Sequence, residues 1–195
     1  MKNPDDLLVS RLSLALMEHL PRRHNGGLVV LVTSALAGEG KTFVARLLAK
    51  SMAELGEDDV CLVSTGGMST GPGFADLLAG LPIEASPTIR SSRLFAMSAG
   101  QDQRQTALFQ PRNVARALGA LRPRFGLCII DGTIVGQCGA LLRYVDQVLL
   151  VVDSRTTPPL AIKRALAQVG SGVPASTSVV LNHAPGRTLA CMDGY

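Results

Sequence analysis

A glycine-containing segment followed by a lysine and a threonine is the part of this 195-residue sequence best suited to chemistry. The segment reads Ala35-Leu36-Ala37-Gly38-Glu39-Gly40-Lys41-Thr42. Glycines let backbone N–H groups approach a polyphosphate closely, a lysine reaches the terminal phosphates, and a threonine hydroxyl at the start of a helix can bind magnesium. The segment therefore predicts a phosphate-binding loop for ATP, although Ala35 stands where the general pattern has its first glycine.

A second candidate group is the carboxylate of Asp131, which follows the apolar run Leu127–Ile130. Ligands gather at the carboxyl ends of parallel strands, and a carboxylate there can hold a magnesium-bound water beside the phosphates. We therefore expect Thr42 and Asp131 to serve a magnesium ion, and Lys41 and Asp131 to be the catalytic residues. The alternative for Asp131 is a strand-terminal aspartate that caps a turn before Gly132.

Short apolar runs that alternate with helical segments must position these groups. The sequence predicts strands at Leu28–Thr33, Val60–Ser64, Leu94–Met97, Leu127–Asp131, Gln147–Asp153 and Ser178–Asn182, and helices at Lys41–Leu55, Phe74–Ala79, Asn113–Leu121 and Pro158–Val169. Continuously apolar strands separated by helices indicate a parallel sheet that is covered on both faces. The expected fold class is therefore α/β, with a doubly wound, mostly parallel sheet.

Two terminal segments flank the expected P-loop ATPase-like domain of residues 26–185. Residues 1–25 predict an amphipathic helix, which ends before Pro21, and a turn. The apolar stripe of that helix packs on the domain or docks on a neighbouring subunit or a membrane protein, and the sequence leaves both readings open. Residues 186–195 predict a flexible tail.

The composition excludes several classes of protein. A hydrophobic fraction of 47% with 17% charged residues describes a compact globular chain, and its apolar runs are far shorter than the roughly 20 residues that cross a bilayer. The first residues lack a signal-peptide pattern, so we expect a cytoplasmic protein. The four cysteines lack metal-binding spacing, and scattered basic residues with only 4% aromatics argue against nucleic acid as a partner.

The phosphate loop and several further segments resemble the bacterial tyrosine kinases that regulate capsular and exopolysaccharide export. The similar segments are Leu31–Ala35, Gly38–Thr42, Gly73–Gly80, Phe125–Asp131, Leu149–Thr157 and Val179–Asn182. The resemblance implies a P-loop NTPase fold of the type found in the MinD and ParA ATPases, with ATP and Mg²⁺ as cofactors. The cofactor-binding residues that it implies are Gly38, Glu39, Gly40, Lys41, Thr42, Phe43 and Asn182. Asn182 is either a contact to the base or a cap of its strand.

Departures from the family pattern bear on the activity. The kinases resembled here have a strand that ends in two aspartates, one residue apart, which serve magnesium and the acceptor tyrosine hydroxyl, and Ser64 and Gly66 occupy those positions. Serine cannot act as a carboxylate base, and glycine offers no side chain. A terminal tyrosine cluster is reduced to Tyr144 and Tyr195, and of the family's glutamate and two arginines for ring assembly only Arg11 remains.

We expect an ATP-binding component that regulates exopolysaccharide or capsule polymerisation and export, with weak or absent tyrosine kinase activity and slow ATP hydrolysis left open. The implied partner is an inner-membrane chain-length regulator or co-polymerase, which would hold the protein at the inner face of the plasma membrane; a homo-oligomer is also open. The alternatives are an active autokinase that modifies Tyr195 and a scaffold that works without nucleotide. Leu36 replaces the signature lysine of MinD- and ParA-type regulators, which disfavours a positioning ATPase.

Overall fold

The computed structural model describes residues 26–67, 69–82, 88–91, 93–100, 105–171, 176–184 and 191–193. The strands are β1 Leu28–Ser34, β2 Val60–Ser64, β3 Thr88–Ser91, β4 Leu94–Met97, β5 Leu127–Ile134, β6 Gln147–Asp153, β7 Ser176–Asn182 and β8 Cys191–Asp193. The helices are α1 Lys41–Leu55, α2 Phe74–Ala79, α3 Gln105–Leu108, α4 Pro111–Leu121, α5 Gly139–Leu142 and α6 Pro159–Gly170, and a 3-10 turn spans Val135–Gln137.

All eight strands belong to one sheet, in the order β3-β4-β2-β5-β1-β6-β7-β8. The six inner strands, from β4 to β7, run parallel, and the outer strands β3 and β8 pair antiparallel with their neighbours. The parallel strands place their carboxyl ends at the same edge of the sheet. This order confirms the expected α/β fold with a doubly wound, mostly parallel sheet.

Apolar layers cover both faces of the sheet, which explains why its central strands are continuously hydrophobic. Alternate residues of β1 point to opposite faces, so Val29 and Leu31 belong to one layer while Val30 and Val32 belong to the other. Helix α1 packs on the second face, and helices α2, α4 and α6 contribute to the layer on the first face. The whole of β1 is buried, which fixes the position of the loop that follows it.

Helix α1 starts and ends at glycines, as its sequence predicts. Gly40 precedes its first residue in a left-handed conformation, and the N–H of Gly56 donates to the carbonyl of Met52 at 3.0 Å where the helix stops. Its buried residues recur at helical spacing: Val44, Ala45, Leu48, Ala49, Ser51, Met52 and Ala53. Burial of this stripe on the sheet holds the amino-terminal turn of α1 against the carboxyl ends of the strands.

Several short or extended elements differ from the sequence expectations. Strand β5 continues three residues beyond Asp131, because pairing with β1 resumes at Ser34 and Ile134 after a register shift. Strands β3 and β8 and helices α3 and α5 were not predicted. Strand β8 lies in the segment expected to be a flexible tail, and the rest of that segment, like the helix expected within residues 1–25, lies outside the described residues.

Two of the cysteines show how closely the strands pack. Cys61 of β2 and Cys128 of β5 are register partners, and both are buried free thiols. Burial raises the pKa of Cys61 to about 12 and raises that of Cys128 as well, so both remain protonated. They fill the core as small apolar residues. Among the described residues, no helix combines the length and apolar character that crossing a membrane requires.

Candidate functional site

The loop between β1 and α1 contains two glycines in a conformation that other residues rarely adopt. Gly38 has a φ of 85° and Gly40 a φ of 91°. A Cβ on Gly40 would lie 2.3 Å from the side-chain nitrogen of Asn182, whereas a Cβ on Gly38 would meet nothing within 4 Å. Gly40 is therefore required by its conformation and by a close neighbour, and Gly38 by its conformation alone.

Glu39 holds the loop in shape from inside the protein. Its side chain is buried, and its carboxylate accepts hydrogen bonds from the N–H of Leu36 at 2.6 Å and from the hydroxyl of Thr157. Its backbone carbonyl accepts a hydrogen bond from the Asn182 side-chain amide at 3.0 Å. The loop is thus tied to the segment that follows β6 and to the last residue of β7, and both oxygens of the Glu39 carboxylate already have partners within the protein.

The first turn of α1 meets Asp131 of the neighbouring strand β5. The hydroxyl of Thr42 donates to a carboxylate oxygen of Asp131 at 3.1 Å. Asp131 is only 8% exposed, and its burial raises the pKa of the carboxyl group, while the Thr42 hydrogen bond and the charges of Lys41 and Arg46 lower it. The structure therefore brings together Lys41, Thr42 and Asp131, although Asp131 lies inside β5 and not at its end.

A cleft of about 410 Å³ opens beside the loop, at the carboxyl edge of the sheet. Its lining comes from the loop, α1, the end of β2 and the end of β5: Ala37, Lys41, Thr42, Arg46, Ser64, Gly66, Asp131, Gly132, Thr133, Ile134 and Gln137. Sequence reasoning missed Arg46 and Gln137. Arg46 lies four residues after Thr42 and thus on the same face of the helix, a spacing that could have revealed it. Gln137 belongs to a 3-10 turn that the sequence did not predict.

The two positions where the resembled kinases carry aspartates do lie at this cleft. Ser64 and Asp131 are register partners on the parallel strands β2 and β5, and the hydroxyl of Ser64 donates to the carbonyl of Gly66 at 3.2 Å. The hydroxyl of Thr65 donates to the backbone carbonyl of Asp131 at 2.8 Å. The segment after β2 is therefore fixed to β5, with a hydroxyl and a bare glycine facing the same space as Asp131.

The ends of β6 and β7 form a polar cluster on the other side of the loop. Asp153 accepts hydrogen bonds from Arg155 and lies 3.0 Å from the ring nitrogen Nδ1 of His183. The hydrogen bonds from Arg155 hold the pKa of the Asp153 carboxyl group well below its usual range. Asn182 donates to Glu39 and accepts from the N–H of His183 at 3.0 Å, so its amide has a protein partner at each end.

The structure does not test the expected roles of Asn182 and Phe43 in cofactor binding, so these roles stay predictions. The polar atoms of Asn182 are engaged within the protein, so a contact to a base is an addition to its observed role as an anchor of the loop. Phe43 is 59% exposed on the first turn of α1 and lies outside the lining of the cleft. Its side chain is free to contact a ligand or another protein.

The site has the four features of a P-loop domain: a parallel strand, a loop with left-handed glycines, a helix that begins with Lys41-Thr42, and an acid on the adjacent strand. Solved structures narrow this class. The VpsO kinase domain shares 26% sequence identity with this chain. The match covers 92% of this chain and 96% of the VpsO domain, with a TM-score of 0.73. The kinase domain of Escherichia coli tyrosine kinase ETK shares 19% identity, with coverages of 97% and 80% and a TM-score of 0.75.

The cell division ATPase MinD of Pyrococcus furiosus is a more distant neighbour, at 18% identity, coverages of 84% and 76%, and a TM-score of 0.64. Neither a protein-family model nor a curated protein sequence matches the chain. The chain is a P-loop domain with the fold of the bacterial tyrosine kinase domains, within the architecture shared with MinD- and ParA-type ATPases. The resemblance noted in the sequence is confirmed at this level.

Proposed function

We propose that this chain binds ATP with magnesium and regulates the polymerisation and export of an exopolysaccharide or capsule, with weak or absent tyrosine kinase activity. The observation that carries the nucleotide part is the contact of Thr42 with Asp131 beside the left-handed glycine loop. Similarity to the VpsO and ETK kinase domains supports a kinase-like ATP site. The link to polysaccharide rests on the family resemblance of the sequence.

The loop and the start of α1 supply the groups that hold the phosphates. Backbone N–H groups from Gly38 to Phe43 provide donors, and the positive end of the helix dipole favours an anion there. Lys41 reaches the terminal phosphates as a flexible cation. We assign Glu39 to the site through its backbone, because its carboxylate is occupied by Leu36 and Thr157. Asn182 keeps the loop closed and is the proposed contact towards the base.

The oxygen atoms beside the loop fit a magnesium ion. Thr42 offers a hydroxyl, Asp131 a carboxylate and Ser64 a second hydroxyl at the same cleft. Mg²⁺ prefers oxygen ligands, keeps several waters and is usually held by one or two carboxylates together with substrate phosphates. When bound, Mg²⁺ would neutralise charge on the phosphates. We assign Thr42 and Asp131 as its protein ligands, direct or through water.

The described lining of the same cleft offers no second carboxylate that could act as a base for a tyrosine acceptor. Among the described residues that line it, Asp131 is the single carboxylate, and we assign it to the metal. Ser64 does not ionise in a useful range, so no second residue of this described lining can accept the phenolic proton. Lys41 and Asp131 can still position and stabilise a phosphate for slow hydrolysis. This shortage of carboxylates supports the assignment of weak or absent kinase activity.

A regulatory role needs a segment whose conformation depends on nucleotide. The segment that follows Thr65 is such a candidate, because Gly66 lies at the cleft and both Gly66 and Gly67 are exposed beyond the hydrogen bond that fixes Thr65 to the backbone of Asp131. Differential contact with the terminal phosphate would shift the equilibrium of this segment and alter the fit to an inner-membrane chain-length regulator. Through that partner the protein would work at the cytoplasmic face of the membrane. A homo-oligomer is compatible with the same switch.

The nucleotide part is tested by measuring ATP affinity in the presence of Mg²⁺, by calorimetric titration of the parent, Lys41→Ala and Asp131→Ala. Loss of a hydrogen bond to a charged group costs about 1.5 to 3 kcal/mol, so we expect Lys41→Ala to weaken binding by roughly tenfold or more. Lys50→Ala is the matched control, because Lys50 lies on the same helix, is exposed and pairs with Glu54 at 3.9 Å. Unchanged affinity in Lys41→Ala would show that the site is wrongly assigned.

The kinase and polysaccharide parts need separate readouts. Radiolabel transfer from γ-labelled ATP to the protein should stay near background, and strong labelling of Tyr195 would establish the autokinase alternative. The gene encoding Lys41→Ala should then replace the parental gene in the native host. We expect an altered yield or chain length of the exported polysaccharide, whereas a parental polymer profile would favour the scaffold that works without nucleotide.

A further inference from the structure

We propose that Arg46 binds the terminal phosphate of ATP. Its positive charge would neutralise part of the phosphate charge that a magnesium ion neutralises in a site with more carboxylate ligands. This inference rests on the proposed ATP site. It assigns a phosphate-recognition role to a residue outside the glycine loop. It also predicts how strongly nucleotide binding depends on magnesium.

Arg46 lines the cleft that contains the proposed phosphate-binding groups. Arg46 lies four residues after Thr42 on α1, so the two side chains are neighbours on one face of the helix. It lines the cleft together with Lys41, Ser64 and Asp131. Lys50, one turn further along the helix, does not line the cleft and pairs with Glu54. Arg46 is therefore the last cation of α1 that borders the cleft.

Arg46 has no competing structural task within the described part of the chain. Other arginines there hold the fold together: Arg93 donates to the carbonyl of Gly56, Arg116 to that of Leu78, and Arg122 to Asp146. No such hydrogen bond or ion pair joins Arg46 to another described residue, and the side chain is exposed. A guanidinium at the edge of a cleft without an internal acceptor is available for a ligand oxygen.

The balance of charge in the cleft favours an anion. Among the described residues that line the cleft, Lys41 and Arg46 face a single carboxylate, Asp131, and the charges of both cations lower the pKa of that group against the effect of its burial. The kinases resembled by the sequence have two further aspartates where this chain has Ser64 and Gly66. The cleft is thus two negative charges poorer than theirs. A terminal phosphate that enters this cleft is therefore exposed to a more positive net charge, and its binding should depend less on a bound cation.

The geometry of a guanidinium suits this task. Its planar fork can donate two parallel hydrogen bonds to a phosphate group, which an ammonium group cannot do. Ser64 has a small side chain at the end of β2 and Gly66, just beyond it, has none, so these positions leave space for the phosphate between β2 and α1. Because Lys41 precedes Arg46 by more than one turn, the two cations would contact the phosphate chain from different sides.

The experiment compares ATP and ADP affinities, each with Mg²⁺ and with EDTA, by calorimetric titration of the full chain. The proteins are the parent, Arg46→Ala, Arg46→Lys and the control Lys50→Ala. Charged hydrogen bonds at an exposed site predict that Arg46→Ala weakens ATP binding about tenfold in EDTA, and by a smaller factor in Mg²⁺. ADP affinity should change by less than about twofold, because ADP lacks the phosphate contacted. Arg46→Lys should lie between the parent and Arg46→Ala, and Lys50→Ala should match the parent.

Failure of this inference can be told from failure of the ATP site itself. If Lys41→Ala weakens ATP binding while Arg46→Ala leaves it unchanged, the ATP site stands and the role of Arg46 is refuted. If Arg46→Ala weakens ATP and ADP by the same factor, Arg46 does not read the terminal phosphate and the proposal also fails. If the parent binds neither nucleotide, the proposed function fails first. Thermal unfolding of each variant verifies that it is folded.

Discussion

Replacement of Gly40 by alanine is the sharpest test of the loop conformation, because two independent features require glycine there. Its φ of 91° is unfavourable for a residue with a Cβ, and that Cβ would lie 2.3 Å from the Asn182 side-chain nitrogen. Gly38 provides a matched control. Its φ of 85° is similar, but an added Cβ would meet nothing within 4 Å.

The expected costs follow from these two features. The left-handed conformation costs a non-glycine residue about 1 kcal/mol, so Gly38→Ala should destabilise the protein by roughly that amount. Gly40→Ala carries the same cost and also displaces Asn182, which breaks the 3.0 Å hydrogen bond to the carbonyl of Glu39. Loss of that bond adds about 1 kcal/mol, so we expect a total of about 2 kcal/mol for Gly40→Ala.

A double-mutant cycle isolates the contact with Asn182. In an Asn182→Ala background the close neighbour and the hydrogen bond are already gone, so adding Gly40→Ala should cost only the conformational part, about 1 kcal/mol. The coupling energy between the two positions should therefore be about 1 kcal/mol. Gly38→Ala should show no coupling to Asn182→Ala.

Urea unfolding at constant pH without nucleotide measures these differences, and thermal scans give a second reading. For a domain of this size, 1 kcal/mol corresponds to roughly 2 to 4 °C in melting temperature. Equal destabilisation by Gly38→Ala and Gly40→Ala, or additive effects in the cycle, would refute the reasoning. In that case Asn182 would not press on Gly40, and its role as anchor of the loop would have to be abandoned.

The remaining predictions concern charge in and around the site, and they are measured without nucleotide in EDTA except where Mg²⁺ and ATP are named. Because burial raises the pKa of Asp131, its ionised form costs stability above the folded-state pKa, so Asp131→Asn should be more stable than the parent at neutral pH and lose that advantage in acid. Asp153 has the opposite sign, since Arg155 lowers its pKa: Asp153→Asn should be less stable at neutral pH and converge with the parent below the usual aspartate range. Urea midpoints between about pH 2 and 8 distinguish the two, because the contribution of Asp153 is lost only as the pH falls below the usual aspartate range, and parallel pH profiles would contradict both. Ser64→Asp should place a second carboxylate beside Asp131, lower the melting temperature in EDTA, and gain more from Mg²⁺ with ATP than the parent does. A melting temperature unchanged by the substitution would mean that position 64 does not face Asp131.

The sequence was sufficient to predict the helices and strands that have a clear local pattern of apolar residues. Helix α1 and strands β2, β4 and β6 lie at the predicted bounds, because short apolar runs, which include valines in β2 and β6, or a helical stripe ending at glycine define them locally. Strands β3 and β8 pair at the edges of the sheet, so their structure depends on a neighbour and not on their own pattern. The extension of β5 likewise depends on a partner, since Thr133 accepts a hydrogen bond from the hydroxyl of Thr33 at 2.7 Å.

Some contacts of the candidate site could likewise be predicted from the sequence, and others could not. The proximity of Thr42 and Asp131 was predictable, because the carboxyl ends of parallel strands meet at one edge of the sheet. The use of Glu39 as an internal brace was not, because its partner Thr157 lies 118 residues away in the sequence. Long-range partners of this kind leave no local pattern, so they emerge only once the chain is folded.

The fold does not explain why positions 64 and 66 lack carboxylates. Gly66 is exposed, has no left-handed backbone angle, and would meet nothing within 4 Å if a Cβ were added. Ser64 lies at the open end of β2, whereas the apolar residues that hold this strand, such as Cys61 and Val63, are fully buried. An aspartate at position 66 would therefore be accommodated without strain. Because packing does not exclude a carboxylate at position 66, the proposed phosphate-binding loop does not by itself require one there, and Arg46 lines a cleft whose described lining has Asp131 as its single carboxylate.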